Sequence, residues 1–185
     1  SSSLTITSFE VDLTVPTIAE VTEVDSPTTD STPSYTFSSD TVGTITYGGP
    51  CTSSDTSVIS GNNTITLTSL SDGTYSDCTI TVTDVASNSV TLNMSSFTID
   101  TTAPTIVEVT AVTTPSLVID PSYTFSSNEA GSITYGGSCS SITTTVVSGN
   151  NTITLVSLSS GTYSDCTVTI TDDVGNVSST LTLTS

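Results

Sequence analysis

Apolar residues recur at every second position in short runs along the chain, with Thr or Ser between them. Examples are Tyr35-x-Phe37, Ile45-x-Tyr47, Ile65-x-Leu67, Cys78-x-Ile80-x-Val82 and Val90-x-Leu92-x-Met94. A period of two puts successive side chains on opposite faces of an extended chain. Each run therefore predicts a strand with one buried face and one hydroxyl-bearing face. Turn residues separate the runs: Asp40 to Gly43, Gly48-Gly49, Gly61-Asn62-Asn63, Asp72-Gly73 and Asp84 to Asn88. In the first run, Ile18, Val21 and Val24 slip out of alternation, which predicts a kink or bulge. Ser26 to Pro33 reads as a loop, and no helical period appears anywhere.

The whole pattern occurs twice. Leu70-Ser71-Asp72-Gly73-Thr74-Tyr75-Ser76-Asp77-Cys78 returns as Leu158-Ser159-Ser160-Gly161-Thr162-Tyr163-Ser164-Asp165-Cys166, 88 residues later. Ile106 and Val109, Tyr123 and Phe125, Ile133 and Tyr135, Ile153 and Leu155 follow in the same order, with one residue inserted just after Asn176. The chain opens on Leu4-x-Ile6-x-Ser8-Phe9-x-Val11-Asp12, which matches Leu92-x-Met94-x-Ser96-Phe97-x-Ile99-Asp100; a third copy begins at Leu181-x-Leu183. Residues 1–15 thus read as an N-terminal strand and linker, either the end of a preceding repeat or a donor strand. Residues 16–100 and 101–185 read as two domains. About seven short strands per repeat predict an all-β chain of two β-sandwiches. The expectation is a slice of a longer tandem array, or a unit whose first strand belongs to a neighbour.

Charge narrows the possible partners. The 185 residues include no Lys, Arg or His and 18 acids, a formal charge of −18. Side-chain ion pairs are impossible, so carboxylates must be satisfied by water, N–H groups or a bound cation. Phosphate backbones and anionic membrane surfaces are repelled, which removes nucleic acid as a direct partner. No apolar run approaches the about 20 residues of a membrane span. Hydrophobic residues make up 34% of the chain and sit at strand spacing, so disorder is not expected despite the acidity. Four cysteines fall at repeat-equivalent positions without CxxC spacing, which favours disulfides and an oxidising compartment. With no His or Lys to activate the many hydroxyls, and no pocket signature around the acids, an enzyme is not expected. Isopeptide cross-links need Lys and their ester analogues need Gln; neither residue occurs.

Leu70-x-Asp72-Gly73-x-Tyr75, followed by Asp84 and Asn88 and then by Phe97-Thr98-Ile99-Asp100-Thr101-Thr102-Ala103-Pro104, resembles the bacterial Ig-like repeats that stack in large surface adhesins and biofilm proteins. The likeness covers nearly the whole chain and is closest at Asp172-Asp173-Val174-Gly175-Asn176; in the first repeat Ser87 stands in place of that Gly. It implies two tandem Ig-like β-sandwich domains preceded by an extra N-terminal strand. In the family the Tyr shares parity with the inward positions. Here Tyr75 precedes Cys78 by three residues, so a bulge at Ser76-Asp77 is expected. Cys51 shares parity with Ile45, Tyr47 and Gly49 at the end of the third strand. In an Ig-like sheet that end lies beside the start of the strand carrying Cys78. The expected disulfides are therefore Cys51–Cys78 and Cys139–Cys166.

The resemblance also implies calcium-stiffened linkers. The expected ligands are Asp100, Asn128, Glu129, Asp172, Asp173 and Asn176 at the N-terminal pole of the second domain, with Asp72 facing them from the first. The equivalent set at the first linker is Asp12, Asp40, Asp84 and Asn88, since a Ca²⁺ shell needs 6–8 oxygens. Sequons stand at Asn62, Asn93, Asn150 and Asn176; Asn62 and Asn150 lie in equivalent turns and are the glycosylation candidates, although Asn also suits turn geometry. The functional expectation is a non-enzymatic, extracellular or cell-surface structural module of an adhesin, stalk or fibre. Its partners would be copies of itself, neighbouring repeats, or a surface receptor or matrix. The alternative is a pilus-like filament subunit that polymerises by β-strand complementation through its N-terminal strand. A lectin-like module is disfavoured, because aromatics are scarce, Trp is absent and the Tyr and Phe fall at core positions.

Overall fold

The computed structural model describes residues 8–185. The chain divides into two compact units, Ser1–Asp100 and Thr101–Ser185. In the first unit the strands are β1 (Ile18–Thr22), β2 (Ser34–Ser39), β3 (Gly43–Gly48), β4 (Ser57–Val58), β5 (Gly61–Thr66), β6 (Gly73–Tyr75), β7 (Thr79–Asp84), β8 (Ser89–Asn93) and β9 (Phe97–Ile99). They form one antiparallel sheet in the order β1-β2-β5 and a second in the order β4-β3-β7-β8. Tyr35, Phe37 and Ile65 from the first sheet meet Ile45, Ile80 and Val82 from the second in one core, each almost fully buried. On the outward faces, cross-strand Thr hydroxyls bond to each other, Thr36 to Thr64 at 2.8 Å and Thr81 to Thr91 at 2.8 Å. Such pairs stabilise a sheet surface without charge.

The second unit repeats the plan with β10 (Ile106–Thr110), β11 (Ser122–Ser127), β12 (Gly131–Gly136), β13 (Thr145–Val146), β14 (Gly149–Thr154), β15 (Thr167–Thr171) and β16 (Leu181–Thr182). Its sheets run β10-β11-β14 and β13-β12-β15-β16. The slip in the first run is a register shift between Glu20 and Thr22, repeated between Glu108 and Thr110. The extra residue of the second repeat falls between Ser178, which is buried and hydrogen-bonded to Ile170, and Leu181, which rejoins the ladder opposite Val168.

The structure corrects the expectation for the stretch before Cys78. Ser76 and Asp77 are not a bulge within a strand. Tyr75 ends β6, which pairs with β9, whereas Thr79 opens β7 in the four-stranded sheet. The chain changes sheets between them, so parity does not carry across the break. Tyr75 and Cys78 both reach the core, and Tyr75 stacks on Phe97 with ring centroids 5.3 Å apart. The turn where Ser87 replaces Gly still forms: Ser87 adopts φ 75°, where Gly175 has φ 106°. The strand expected over Ser1–Asp12 begins outside the described residues. From Ser8 to Thr17 the chain lies in no strand, and Phe9, Val11 and Leu13 are exposed.

Both expected disulfides are present, Cys51–Cys78 and Cys139–Cys166, each closing 27 residues. Each ties the two central strands of the four-stranded sheet just past their last paired residues, Gly48 opposite Thr79 in the first unit. Gly49, at φ 71°, makes the approach possible, because a Cβ there would collide with the Asp77 carbonyl. Chain entropy predicts that losing one bridge costs about 3.5 kcal/mol. Reduction and alkylation should therefore lower the urea midpoint of each unit, and native mass spectra should lack all four thiol hydrogens. Ser87→Gly should raise the first unit's stability by about 0.5–1 kcal/mol, because an L-residue is strained at positive φ. A higher midpoint at unchanged slope in urea unfolding checks it.

Candidate functional site

Each unit has two chemically different poles. At one, the start of the first strand meets the β2–β3, β4–β5 and β7–β8 turns. This pole is acidic, and its acids are bonded inward. Asp84 is buried; its Oδ1 accepts the Ala86 and Asn88 N–H groups, both at 2.8 Å, and its Oδ2 accepts the Asn88 amide at 2.9 Å. Asp172 accepts the N–H groups of Val174, Gly175 and Asn176 at 2.7–2.9 Å and the Asn176 amide at 2.9 Å. The Asn88 side chain, then backbone N–H bonds, hold Asp84 below the usual carboxylate range. Burial pushes Asp172 up, but the Asn176 side chain and the turn N–H groups outweigh it and hold this carboxyl down as well. Asp40 and Asn128 do the same work for the first strand, accepting the N–H of Thr17 at 2.9 Å and of Thr105 at 2.6 Å.

Among the expected calcium ligands, the second unit brings carboxylate oxygens of Glu129 and Asp172 within 4.8 Å of each other. Asn128 donates to Glu129 at 2.9 Å, and Asp173 is exposed. In the first unit Asp12 caps its own turn by accepting Thr14 N–H at 2.9 Å, and its carbonyl receives the Asn88 amide at 3.3 Å. Asp72 and Asp100 flank the same end of the β6–β9 ladder, where Gly73 pairs with Ile99. Of the sequons, Asn62, Asn93 and Asn150 are exposed on strands. Asn62 and Asn150, expected in turns, are instead the second residues of β5 and β14, paired with Ser38 and Ser126; the neighbouring Asn63 and Asn151 each bond both backbone groups of the residue four positions earlier. Asn176 is engaged by Asp172, and Ser178 of its sequon is buried.

Sequence reasoning missed Glu20 and Glu108. Each sits at the register shift of its first strand and reaches across the unit. Glu20 accepts the N–H and hydroxyl of Ser95 at 2.9 and 2.6 Å; Glu108 accepts those of Thr184 at 3.1 and 2.6 Å and the Tyr123 hydroxyl at 2.8 Å. The Tyr35 hydroxyl faces Glu20 in looser geometry that falls short of a full hydrogen bond. Burial and the facing glutamate raise both tyrosines far above the ordinary phenol range. An acid repeated at the one break in alternation was the available signal.

The opposite pole carries the disulfide. In the first unit β9 closes it. Phe97 and Ile99 are buried, β6 pairs on one side, and Thr28 bridges in parallel on the other, with Thr28 N–H bonded to the Thr98 carbonyl at 3.0 Å and Asp100 N–H to Thr28 at 2.9 Å. In the second unit none of the described residues takes this place. Gly161 to Tyr163, the counterpart of β6, forms no strand. A cavity of about 430 Å³ opens there instead, lined by Val112, Ile119, Leu158, Tyr163, Cys166 and Leu183 among others. Val112 and Leu158 are only partly buried, whereas their counterparts Val24 and Leu70 are buried.

No family model and no curated protein matches the chain. No helix is long and apolar enough to cross a membrane among the described residues.

The capped turns give a pH dependence with a defined sign. A carboxyl held below its unfolded value of about 3.9 stabilises the fold above that pH and loses the contribution as pH falls through the depressed value. Asp172→Asn should therefore lower the melting temperature at neutral pH. The gap to the parent should narrow steadily below about pH 4; thermal melts of both proteins across this range read it directly.

Proposed function

We propose that the chain is a non-enzymatic structural module of an extracellular surface protein, two Ig-like sandwiches in tandem that serve as rigid, covalently braced spacers. The observation that carries this reading is the repetition of one disulfide-braced sandwich in a chain with no His, Lys or Arg. Two antiparallel sheets in the orders β1-β2-β5 and β4-β3-β7-β8 support this reading, in which β1, β2 and β5 would correspond to strands A, B and E and β3, β7 and β8 to C, F and G. The Tyr75 hydroxyl bonds the Ser71 carbonyl at 2.7 Å and Tyr163 that of Ser159 at 2.9 Å, which supports the likeness, since a tyrosine bonded to backbone a few residues upstream is a feature of such sandwiches. The bridge differs: it joins neighbouring strands of one sheet instead of crossing between sheets. Two disulfides suit an oxidising location outside the cytosol. The outer faces present Thr and Ser with acids and no cation, a surface suited to hydration and mutual repulsion. Calcium is not required by this reading.

Antibody raised against the chain should label intact source cells or their shed fibres, and the native protein should resist thiol alkylation until reduced. Labelling only after lysis, together with freely alkylated cysteines, would reject the extracellular spacer.

A further inference from the structure

We propose that Asn62 and Asn150 carry N-linked glycans, and that these glycans guard the free edges of β5 and β14. Turn geometry does not account for asparagine at either place. That work falls to the neighbouring residues: Asn63 bonds both backbone groups of Ile59, and Asn151 those of Val147, at 2.8 and 2.9 Å. Asn62 and Asn150 are the second residues of their strands, exposed and paired through the backbone with Ser38 and Ser126. Neither side-chain amide has a hydrogen-bond partner among the described residues. Asn is depleted in strands. Folding therefore gives no reason for an unbonded amide at this place in both repeats.

The hydroxyls that complete these two sequons, Thr64 and Thr152, lie two positions on and so share the outward face, where both residues are exposed. Acceptor amide and hydroxyl stand side by side on an extended surface segment. The other two sequons lack this arrangement. The one at Asn93 ends on Ser95, whose N–H and hydroxyl are both bonded to Glu20. The Asn176 amide donates to Asp172 at 2.9 Å, and Ser178 is buried. Transfer requires a sugar activated as its phosphate ester and a transferase of the source cell. The amide nitrogen bonds the anomeric carbon, the bond from that carbon to the phosphate oxygen breaks, and one amide proton passes to the departing phosphate.

The position of the two sites fixes what the glycans do. β5 and β14 are the last strands of their three-stranded sheets. Both read Gly-Asn-Asn-Thr-Ile-Thr, with no charge and no Pro. Identical uncharged edge strands are templates for pairing between copies. Lys, a common guard of such edges, is absent from the chain. A hydrated glycan rooted beside the edge blocks that approach. In the second unit it also shields Val107, which is 62% exposed in the outward row Val107, Ser126, Asn150.

Such transfer presupposes the extracellular location proposed above. The test is glycopeptide mass spectrometry on the protein purified from its source, cut with chymotrypsin because trypsin has no site in the chain. The expected result is a glycan on Asn62 and on Asn150, with Asn93 and Asn176 bare. Either of the first two bare, or equal occupancy at Asn93 or Asn176, would overturn the assignment. Disulfide-bonded cysteines beside bare Asn62 and Asn150 would do so while leaving the extracellular location standing. The full chain carrying Asn62→Gln and Asn150→Gln, made in the same cells, should keep its urea midpoint. In sedimentation it should associate at concentrations where the glycosylated chain stays monomeric. Sedimentation unchanged by loss of both glycans would remove their guarding role.

Discussion

Closure of the disulfide pole by β9 is the contact that completes the core of the first sandwich. Two sheets packed face to face leave an open end, and at this end the first unit inserts Phe97 and Ile99. Their burial is worth about 3–6 kcal/mol by area arguments. A domain of this size is stable by only about 5–15 kcal/mol in total. Phe97 and Ile99 join Cys51, Val24 and Leu70 in one buried cluster, so the short strand, the bridge, the first loop and the β5–β7 connection share one core. Glu20 fixes where that strand begins by gripping Ser95. Glu108 grips Thr184 in the same way.

A second constraint runs through the whole molecule. Without a single cationic side chain, no carboxylate can be neutralised by a protein counter-charge. The buried Asp84 and Asp172 solve this by each gathering the backbone N–H donors of one tight turn, and the half-buried Glu20 and Glu108 bond N–H and hydroxyl together. The sheet faces solve it by omitting charge, pairing Thr with Thr across strands. Turn geometry and strand pairing thereby do the work that ion pairs share elsewhere.

Much of this was legible in the residues. Period-two alternation marked the main strands because one face of each is buried. The slip at Val21 marked the bulge, and the parity of Cys51 marked its bridge to Cys78. What failed was reading Tyr75 and Cys78 as one strand. Alternation is a property of a single ladder, and nothing in a local pattern announces that the chain leaves one sheet for another between Ser76 and Asp77. The glutamate clamps were hidden for a similar reason, since Glu20 and Ser95 are distant in sequence and meet only through the fold.

Amide hydrogen exchange tests the central claim most directly, because protection reports whether a strand is paired. The account predicts slow exchange at Thr28, Thr98 and Asp100 in the first unit and fast exchange at Ser116 and Gly161 to Tyr163 in the second. Fast exchange at Thr28, Thr98 and Asp100, as fast as at Gly161 to Tyr163, would contradict it.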